Sequence, residues 1–251
     1  MLNVFAREER ALVSSIPGTT RDAIDTLVEI DGTLFRFIDT AGMRRKSKVD
    51  SSVEYYSFVR TLQAIDRCDV ALLVMDASDP FTDQDKRLAG EIIERGKGIL
   101  PVLNKWDILD KSTDLGDTLK KKFRDEMPFL SYASLHFASA QNGRGMHKIP
   151  EFLLSIQENR RRRLGTTQLN RLLRDILAFD RLPSDRKGRA FKIFYCTQAD
   201  IEPPTFIFFV NYPNLATTAF TRHMEKELRG LAEFGGVPMR IFWRKKAKND
   251  D

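Results

Sequence analysis

The chain contains the sequence Ile99-Leu100-Pro101-Val102-Leu103-Asn104-Lys105-Trp106-Asp107, in which an unbroken apolar run ends at Asn-Lys-Trp-Asp. A short continuous apolar run is typical of a strand buried on both faces, as in a parallel sheet. Open α/β sheets hold their ligands just beyond the C-terminal ends of such strands. The sequence therefore predicts a parallel sheet with a ligand site at residues 104–107.

The chemistry of this quartet predicts guanine as the base that it binds. The carboxylate of Asp107 can accept hydrogen bonds from both the ring N–H and the exocyclic amine of guanine, and adenine lacks this pair of donors. We expect Asn104 to brace the loop, and the stem of Lys105, beside Trp106, to lie along the base plane while its ammonium stays in water. Ser139-Ala140, after another apolar run, are expected to offer backbone N–H groups to the base carbonyl. A plain polar turn is a weaker alternative for a lone Asn-Lys-x-Asp, and it becomes weaker still because the motifs described next occur in the expected order.

A second strand, predicted at 34–38, runs into Asp39-Thr40-Ala41-Gly42-Met43. We expect Asp39 to hold Mg²⁺ through water and the N–H of Gly42, which has no Cβ beside it, to approach a γ-phosphate oxygen. Upstream, Pro17-Gly18-Thr19-Thr20 suggests a flexible loop, in which Thr20 is preferred to Thr19 as a direct magnesium ligand. Pro-Gly-Thr-Thr is also an ordinary turn sequence.

Together these motifs resemble the Der (EngA) family, bacterial double GTPases of large ribosomal subunit assembly. The resemblance rests on residues 17–25, on residues 39–46 and on Asn104-Lys105-Trp106-Asp107, and it continues from about 166 to 244 into that family's C-terminal KH-like domain. It implies an α/β fold in which a P-loop-NTPase-like GTPase domain with a mostly parallel sheet precedes a small α+β domain. It also implies GTP or GDP, Mg²⁺ and a monovalent cation such as K⁺ as ligands.

One departure from the family concerns the phosphates, because no G-x-x-x-x-G-K-[ST] occurs in the chain. The resemblance places a first GTPase domain, a strand and a phosphate loop before Leu2, and without that strand the 34–38 and 70–75 strands would lose a shared neighbour. Three or four missing charge-assisted bonds would weaken binding by about 5 to 10 kcal/mol. Two explanations fit: a start codon assigned too far downstream, or a reduced gene. The intact base and switch motifs favour the first.

Hydrolysis raises a separate question, because Met43 stands where Ras-like proteins have a glutamine that orients water. No catalytic residue can be assigned, and GTP hydrolysis is expected only if the full protein has the phosphate loop. An arginine finger from Arg44 or Arg45 is a weaker interpretation than a solvated or RNA-bound arginine.

Composition indicates two domains in a reducing, cytoplasmic setting. The 251 residues with 42% hydrophobic content suffice for one large and one small core. Cys68 and Cys196 are far apart and follow no metal-binding pattern, and no run of about 18 apolar residues predicts a membrane span. We predict a partial GTPase domain over 1–160, a KH-like domain over 161–246 and a charged tail over 247–251.

Positive charge is concentrated in the second part. Residues 156–251 hold 19 Lys and Arg against 11 Asp and Glu, whereas residues 1–155 hold 22 against 24. The cations cluster at 160–163, 186–189 and 244–248, which favours an RNA surface over a merely solvated one. With the resemblance, this predicts ribosomal RNA of the large subunit as partner, and neither DNA nor membrane. A G-x-x-G loop with KH spacing is absent, so sequence-specific reading is not expected. The aromatic residues of the strands 191–195 and 206–210 could stack on bases, but packing in the core is favoured, because alternate positions of a small sheet must face its helices.

The leading hypothesis is a guanine-nucleotide switch that changes how the KH-like domain meets ribosomal RNA. The alternative is a nucleotide-independent RNA-binding remnant, or a truncated fragment with impaired GTP binding. Periodicity predicts helices over 53–65, 81–95, 118–126, 149–159, 168–179 and 220–231, and a last strand over 239–243.

Overall fold

A computed structural model describes residues 1–5, 14–15, 25–38, 51–109, 114–179, 182–183 and 189–246. The chain divides into two compact units, Met1–Ser155 and Ile156–Asp251. The division falls within a single helix, α5 (Ile149–Arg161). The predicted boundary at 160/161 lies in the same helix and stays a prediction.

The first unit contains the predicted parallel sheet. Its strands are β4 (Val70–Asp76), β5 (Gly98–Asn104) and β6 (His136–Phe137), with β5 in the middle and both pairings parallel. Every residue of β5 before Asn104 is buried, which explains its uninterrupted apolar sequence. Helices α2 (Ser51–Arg67), α3 (Asp83–Glu94) and α4 (Leu115–Glu126) confirm three predicted helices with small shifts at their ends.

The start of α3 follows from its local sequence. Thr82 Oγ1 accepts a hydrogen bond from the N–H of Asp85 at 3.2 Å, and the N–H of Thr82 donates to Asp85 Oδ2 at 2.9 Å. This reciprocal capping box satisfies two backbone donors at the helix end. Ala89 and Ile92 then reach the core, where they share one buried cluster with Ile99 of β5.

An antiparallel hairpin precedes the parallel sheet, and the sequence predicted only its second strand, at 34–38. β2 (Thr26–Ile30) and β3 (Thr33–Phe37) are joined by Asp31-Gly32, both with positive φ, and β1 (Ser14–Ser15) pairs with β2. Two positive-φ residues of this kind form the tight turn that matches strand twist. Among the described strands, β3 and β4 belong to separate sheets. The short helix α1 (Leu2–Phe5) places Phe5 on Phe37, with ring centroids 5.6 Å apart.

The second unit is the predicted small α+β domain. It contains α6 (Thr166–Phe179), β7 (Ile193–Ile201), β8 (Pro204–Val210), α7 (Thr218–Leu231) and β9 (Arg240–Lys245). The sheet order is β7-β8-β9, antiparallel and then parallel. One face of the sheet packs in a cluster with Leu169 and Leu173 of α6 and Met224 and Leu228 of α7. None of the helices that the structure describes is long and apolar enough to cross a membrane.

Candidate functional site

The motif Asn104-Lys105-Trp106-Asp107 lies at the C-terminal edge of the parallel sheet. Asn104 ends β5, Lys105 takes a left-handed conformation with φ 64°, and a 3₁₀ turn follows over Trp106–Ile108. The N–H of Trp106 donates to the carbonyl of Ala138 at 3.1 Å, which joins this turn to the segment after β6. A left-handed conformation at a residue other than glycine costs free energy and often marks a functional turn.

Asn104 connects the loops that follow all three strands. Its side-chain Oδ1 accepts a hydrogen bond from the N–H of Ala140 at 2.9 Å, on the segment after β6. Its carbonyl accepts from the N–H of Ala77 at 2.9 Å, just after β4. The structure therefore gives Asn104 the bracing contacts expected of it.

Lys105 is held by an acid that the sequence analysis did not single out. Its ammonium pairs with the carboxylate of Asp76, the last residue of β4. The Lys105 ammonium, together with the hydroxyl and N–H of Ser78 at 2.7 and 3.0 Å, lowers the pKa of Asp76 to about 2. Because parallel strands bring their carboxyl ends to one edge, the position of Asp76 at the end of β4 was the signal that could have identified it.

Asp107 is the residue of the motif whose hydrogen bonding is incomplete. Its Oδ1 is buried from solvent and has no hydrogen-bond partner among the described residues. The neighbouring Trp106 packs on Phe137, with ring centroids 4.5 Å apart. Buried polar atoms nearly always have partners, so an unpaired carboxylate oxygen at a strand end indicates a place where a donor group binds.

Ser139 and Ala140 lie next to the motif, but their backbone donors have other acceptors. The N–H of Ser139 donates to the carbonyl of Arg144 at 2.8 Å, and the N–H of Ala140 donates to Asn104. Ser139 is fully buried, and its Oγ accepts from the N–H of Asn142 at 3.3 Å. Neither N–H could donate to a base carbonyl without giving up its present acceptor. In the structure, both residues shape the loop.

The same loop closes through Gly145, which sequence reasoning missed. Gly145 has φ 73°, and a Cβ there would lie 2.3 Å from the carbonyl oxygen of Phe137. Its own carbonyl lies 2.7 Å from Nε2 of His136. Only glycine fits this close approach, and the short sequence Asn142-Gly143-Arg144-Gly145 was the available signal.

The predicted phosphate and magnesium residues lie outside the described residues. These are Thr20 and the turn Asp39-Thr40-Ala41-Gly42-Met43, together with Arg44 and Arg45. Their roles stay predictions.

The basic run at 160–163 is less available to RNA than the sequence suggested. Arg160 is only 4% exposed, and its Nη1 donates to Gln157 Oε1 at 2.9 Å. Arg161 pairs with Glu202 at 2.8 Å, and Arg163 donates to the carbonyl of Gln198 at 3.2 Å. The prediction of a phosphate-neutralising cluster is therefore wrong for Arg160, because its side chain is buried and bonded to Gln157 of the same helix. The cations of β9, in contrast, are exposed.

Comparisons with known proteins agree with both units. Residues 1–105 match the family model described as a 50S ribosome-binding GTPase, and residues 163–244 match the model of the KH-domain-like C-terminal region of EngA bacterial GTPases. The chain is 46% identical over 251 residues to GTPase Der of Heliobacterium modesticaldum and 42% identical over 250 residues to GTPase Der of Desulforamulus reducens. Each alignment covers 100% of this chain and 57% of the relative, so the chain spans little more than half the length of these relatives.

The comparison with solved structures found Era of Aquifex aeolicus bound to GDP and aluminium fluoride, at 18% identity and a TM-score of 0.43, over 95% of this chain and 86% of that one. Another is the cytosolic domain of the Thermotoga maritima FeoB iron transporter in a GDP form, at 17% identity and a TM-score of 0.41, over 70% and 66%. The resemblance seen in the sequence motifs is confirmed: over its whole length the chain matches the Der (EngA) family, with a GTPase region followed by that family's KH-domain-like region.

Proposed function

We propose that this chain binds a guanine nucleotide at the C-terminal edge of β5 and contacts ribosomal RNA of the large subunit through its KH-like unit, as a cytoplasmic nucleotide-dependent assembly factor. In this proposal Asp107 reads the base, while Asn104, Lys105, Trp106, Ser139 and Ala140 shape and line its site. Asp39 to Met43 would meet the γ-phosphate, and Thr20 and Asp39 would hold Mg²⁺. K⁺ would assist at the phosphates.

The observation that carries the nucleotide proposal is the buried, unpartnered Oδ1 of Asp107. A buried acceptor without a donor costs about 1 to 3 kcal/mol, and more when it is charged. The ring N–H and exocyclic amine of guanine are two neighbouring donors, and a carboxylate accepts both. Binding guanine would therefore satisfy an atom that has no partner among the residues that the structure describes.

The test exchanges the base and the side chain together. Xanthine carries a carbonyl in place of the exocyclic amine of guanine, so an amide at position 107 suits xanthine as a carboxylate suits guanine. Fluorescent GDP and XDP are titrated against the wild-type chain and Asp107→Asn. The wild type should prefer GDP and the variant XDP, each by at least about tenfold, which corresponds to one charge-assisted hydrogen bond.

Asp117→Asn is the matched control, because Asp117 is an 85% exposed aspartate on α4 of the same unit. It should keep the wild-type preference for GDP. Equal affinity of the wild type for the two nucleotides, or an unchanged preference in Asp107→Asn, would overturn the guanine proposal.

A second candidate, nucleotide-independent RNA binding, is favoured by the concentration of positive charge in residues 156–251. The two are separated by sedimentation with 50S subunits in GTP, GDP or no nucleotide. A switch predicts different bound fractions in the three conditions, whereas an RNA-binding remnant predicts the same fraction in all of them and in Asp107→Asn.

A further inference from the structure

The sheet of the second unit has two faces of different character. Along β8, the residues Phe206, Phe208 and Val210 are fully buried against the helices. The alternate residues Thr205, Ile207 and Phe209 are only half-buried, because they point to the opposite side. We call this opposite side the outer face.

Aromatic side chains occupy three positions of the outer face. Tyr195 of β7 and Phe209 of β8 are register partners whose rings stack, with centroids 4.3 Å apart and an angle of 17° between the ring planes. Phe242 of β9 is the register partner of Ile207 and is 48% exposed. Phe194 is 40% exposed and lies at a break in the β7 register between Ile193 and Tyr195.

Cations are interleaved with these rings. On β9, Arg240 and Arg244 flank Phe242 at two-residue spacing and therefore share its face. The ammonium groups of Lys192 and Lys246 lie 5.2 and 5.6 Å from the ring centroid of Phe194. An acid, Asp200, lies at the corner of the sheet, where it pairs with Thr205.

We infer that the outer face of this sheet is a stacking platform for single-stranded RNA. Flat rings take up unpaired bases, and neighbouring cations neutralise the phosphates that connect them. A duplex keeps its base faces stacked inside and cannot offer them to Phe194 or Phe242, so single strands are the form that this face fits. The inference rests on the proposed RNA contact of the KH-like unit and names its surface.

The dimensions of the platform limit what it holds. Neighbouring strands lie about 4.8 Å apart, so β7 and β9 are separated by roughly 10 Å across β8. The three aromatic positions, at Phe194, at the Tyr195–Phe209 pair and at Phe242, therefore suit two or three bases. Stacking of this kind tolerates many sequences, since every base has a π-face.

The first experiment measures binding of a fluorescein-labelled 12-nucleotide oligouridine to the full chain by anisotropy. Phe194→Leu and Phe242→Leu remove the aromatic ring and keep an apolar side chain at an exposed position, so we expect the fold to be retained. Each should weaken binding about tenfold, and the double variant about a hundredfold. Phe129→Leu, a change at a 43% exposed phenylalanine of the first unit, is the matched control and should leave affinity within twofold.

The second experiment separates stacking from charge through salt dependence. For single strands, each phosphate that a cation neutralises adds about 0.7 to the steepness of log affinity against log salt. The variant Arg244→Gln should therefore reduce this steepness by about 0.7. The two Phe→Leu changes should weaken binding and leave the steepness unchanged.

The outcomes distinguish this inference from the proposed function. If the phenylalanine variants bind oligouridine like the wild type, the platform is refuted while RNA binding elsewhere stands. If the wild type sediments with 50S subunits but binds no oligouridine, the face does not hold single strands, although the assembly proposal survives. Ultraviolet crosslinks from this face to a ribosomal protein, and none to RNA, would assign it to a protein partner and also overturn the inference.

Discussion

Replacement of Asn104 by alanine is expected to loosen the loop that follows β6. In the structure, Asn104 Oδ1 accepts a hydrogen bond of 2.9 Å from the N–H of Ala140, in a partly buried position. Alanine has no acceptor to replace it, so the N–H of Ala140 would be left without a partner. The cost of such an unsatisfied donor is about 1 to 2 kcal/mol, which corresponds to roughly a 5- to 30-fold rise in the population of the opened loop.

Native-state hydrogen exchange at the amide of Ala140 measures this opening directly, because exchange reports local unfolding residue by residue. The matched control is Asn142→Ala, which removes the acceptor of the Arg144 N–H, a bond of 3.0 Å in an exposed position. That change should alter exchange at Ala140 by less than about twofold, since water replaces an exposed acceptor. Asn104→Asp keeps an acceptor oxygen and should restore most of the protection.

The same opening should weaken the proposed nucleotide site by a similar factor, because the loop that carries Ser139 and Ala140 borders it. Unchanged exchange at Ala140 in Asn104→Ala would show that the brace does not hold the loop. If hydrogen exchange at Ala140 were accelerated equally in Asn104→Ala and Asn142→Ala, the opening of the loop would not depend on its bond to Asn104 at the end of β5.

Titration, thiol reactivity and core truncation give three further tests. Lys105 and then Ser78 lower the pKa of Asp76 to about 2, so its stabilising contribution is present above the ordinary carboxyl pKa of 3.8 and is lost as pH falls toward 2. The difference in Tm between wild type and Asp76→Asn should shrink over that interval, and it should stay small because the carboxylate is 35% exposed. Burial raises the pKa of the Cys196 thiol to about 12, so iodoacetamide at pH 8 should label this cysteine only after unfolding, as mass spectrometry would show. Phe208→Ala should lower the free energy of unfolding by about 3 to 5 kcal/mol, and the half-buried Phe209→Ala by clearly less, in urea titrations of the second unit's signal.

The fold was predictable where a single physical pattern determined it. The apolar run before Asn104 required burial on both faces, and the structure places it in the middle of a parallel sheet. The helices of both units followed from apolar periodicity, with errors at their ends of a few residues. The β2–β3 hairpin was not predicted, although Asp31-Gly32 is a strong turn signal. The motif after β3 is typical of a strand in a parallel sheet, and it favoured a parallel arrangement for this strand.

The aromatic strands show why periodicity alone could not settle their role. The prediction that they pack in the core is confirmed for Phe206 and Phe208 and wrong for Phe194, which is 40% exposed. A strand of this sheet has one face toward the helices and one away, and aromatic residues occupy both. The sequence indicated that rings would line the sheet but contained no signal for the register break that turns Phe194 outward.

The contacts of residues 104–107 show how three residues of this motif position the fourth, Asp107. Asn104 uses its carbonyl and its side chain to join neighbouring loops, Lys105 adopts a left-handed turn and pairs with Asp76, and Trp106 packs on Phe137. These contacts are all satisfied within the chain, and together they fix the backbone that carries Asp107. The carboxylate oxygen that has no partner among the described residues is thus held in place by these contacts, so we expect little conformational entropy to be lost on binding. This arrangement favours a specific pair of donors over a general polar ligand. A carboxylate held in one orientation forms good hydrogen bonds only with donors that approach it from the matching direction.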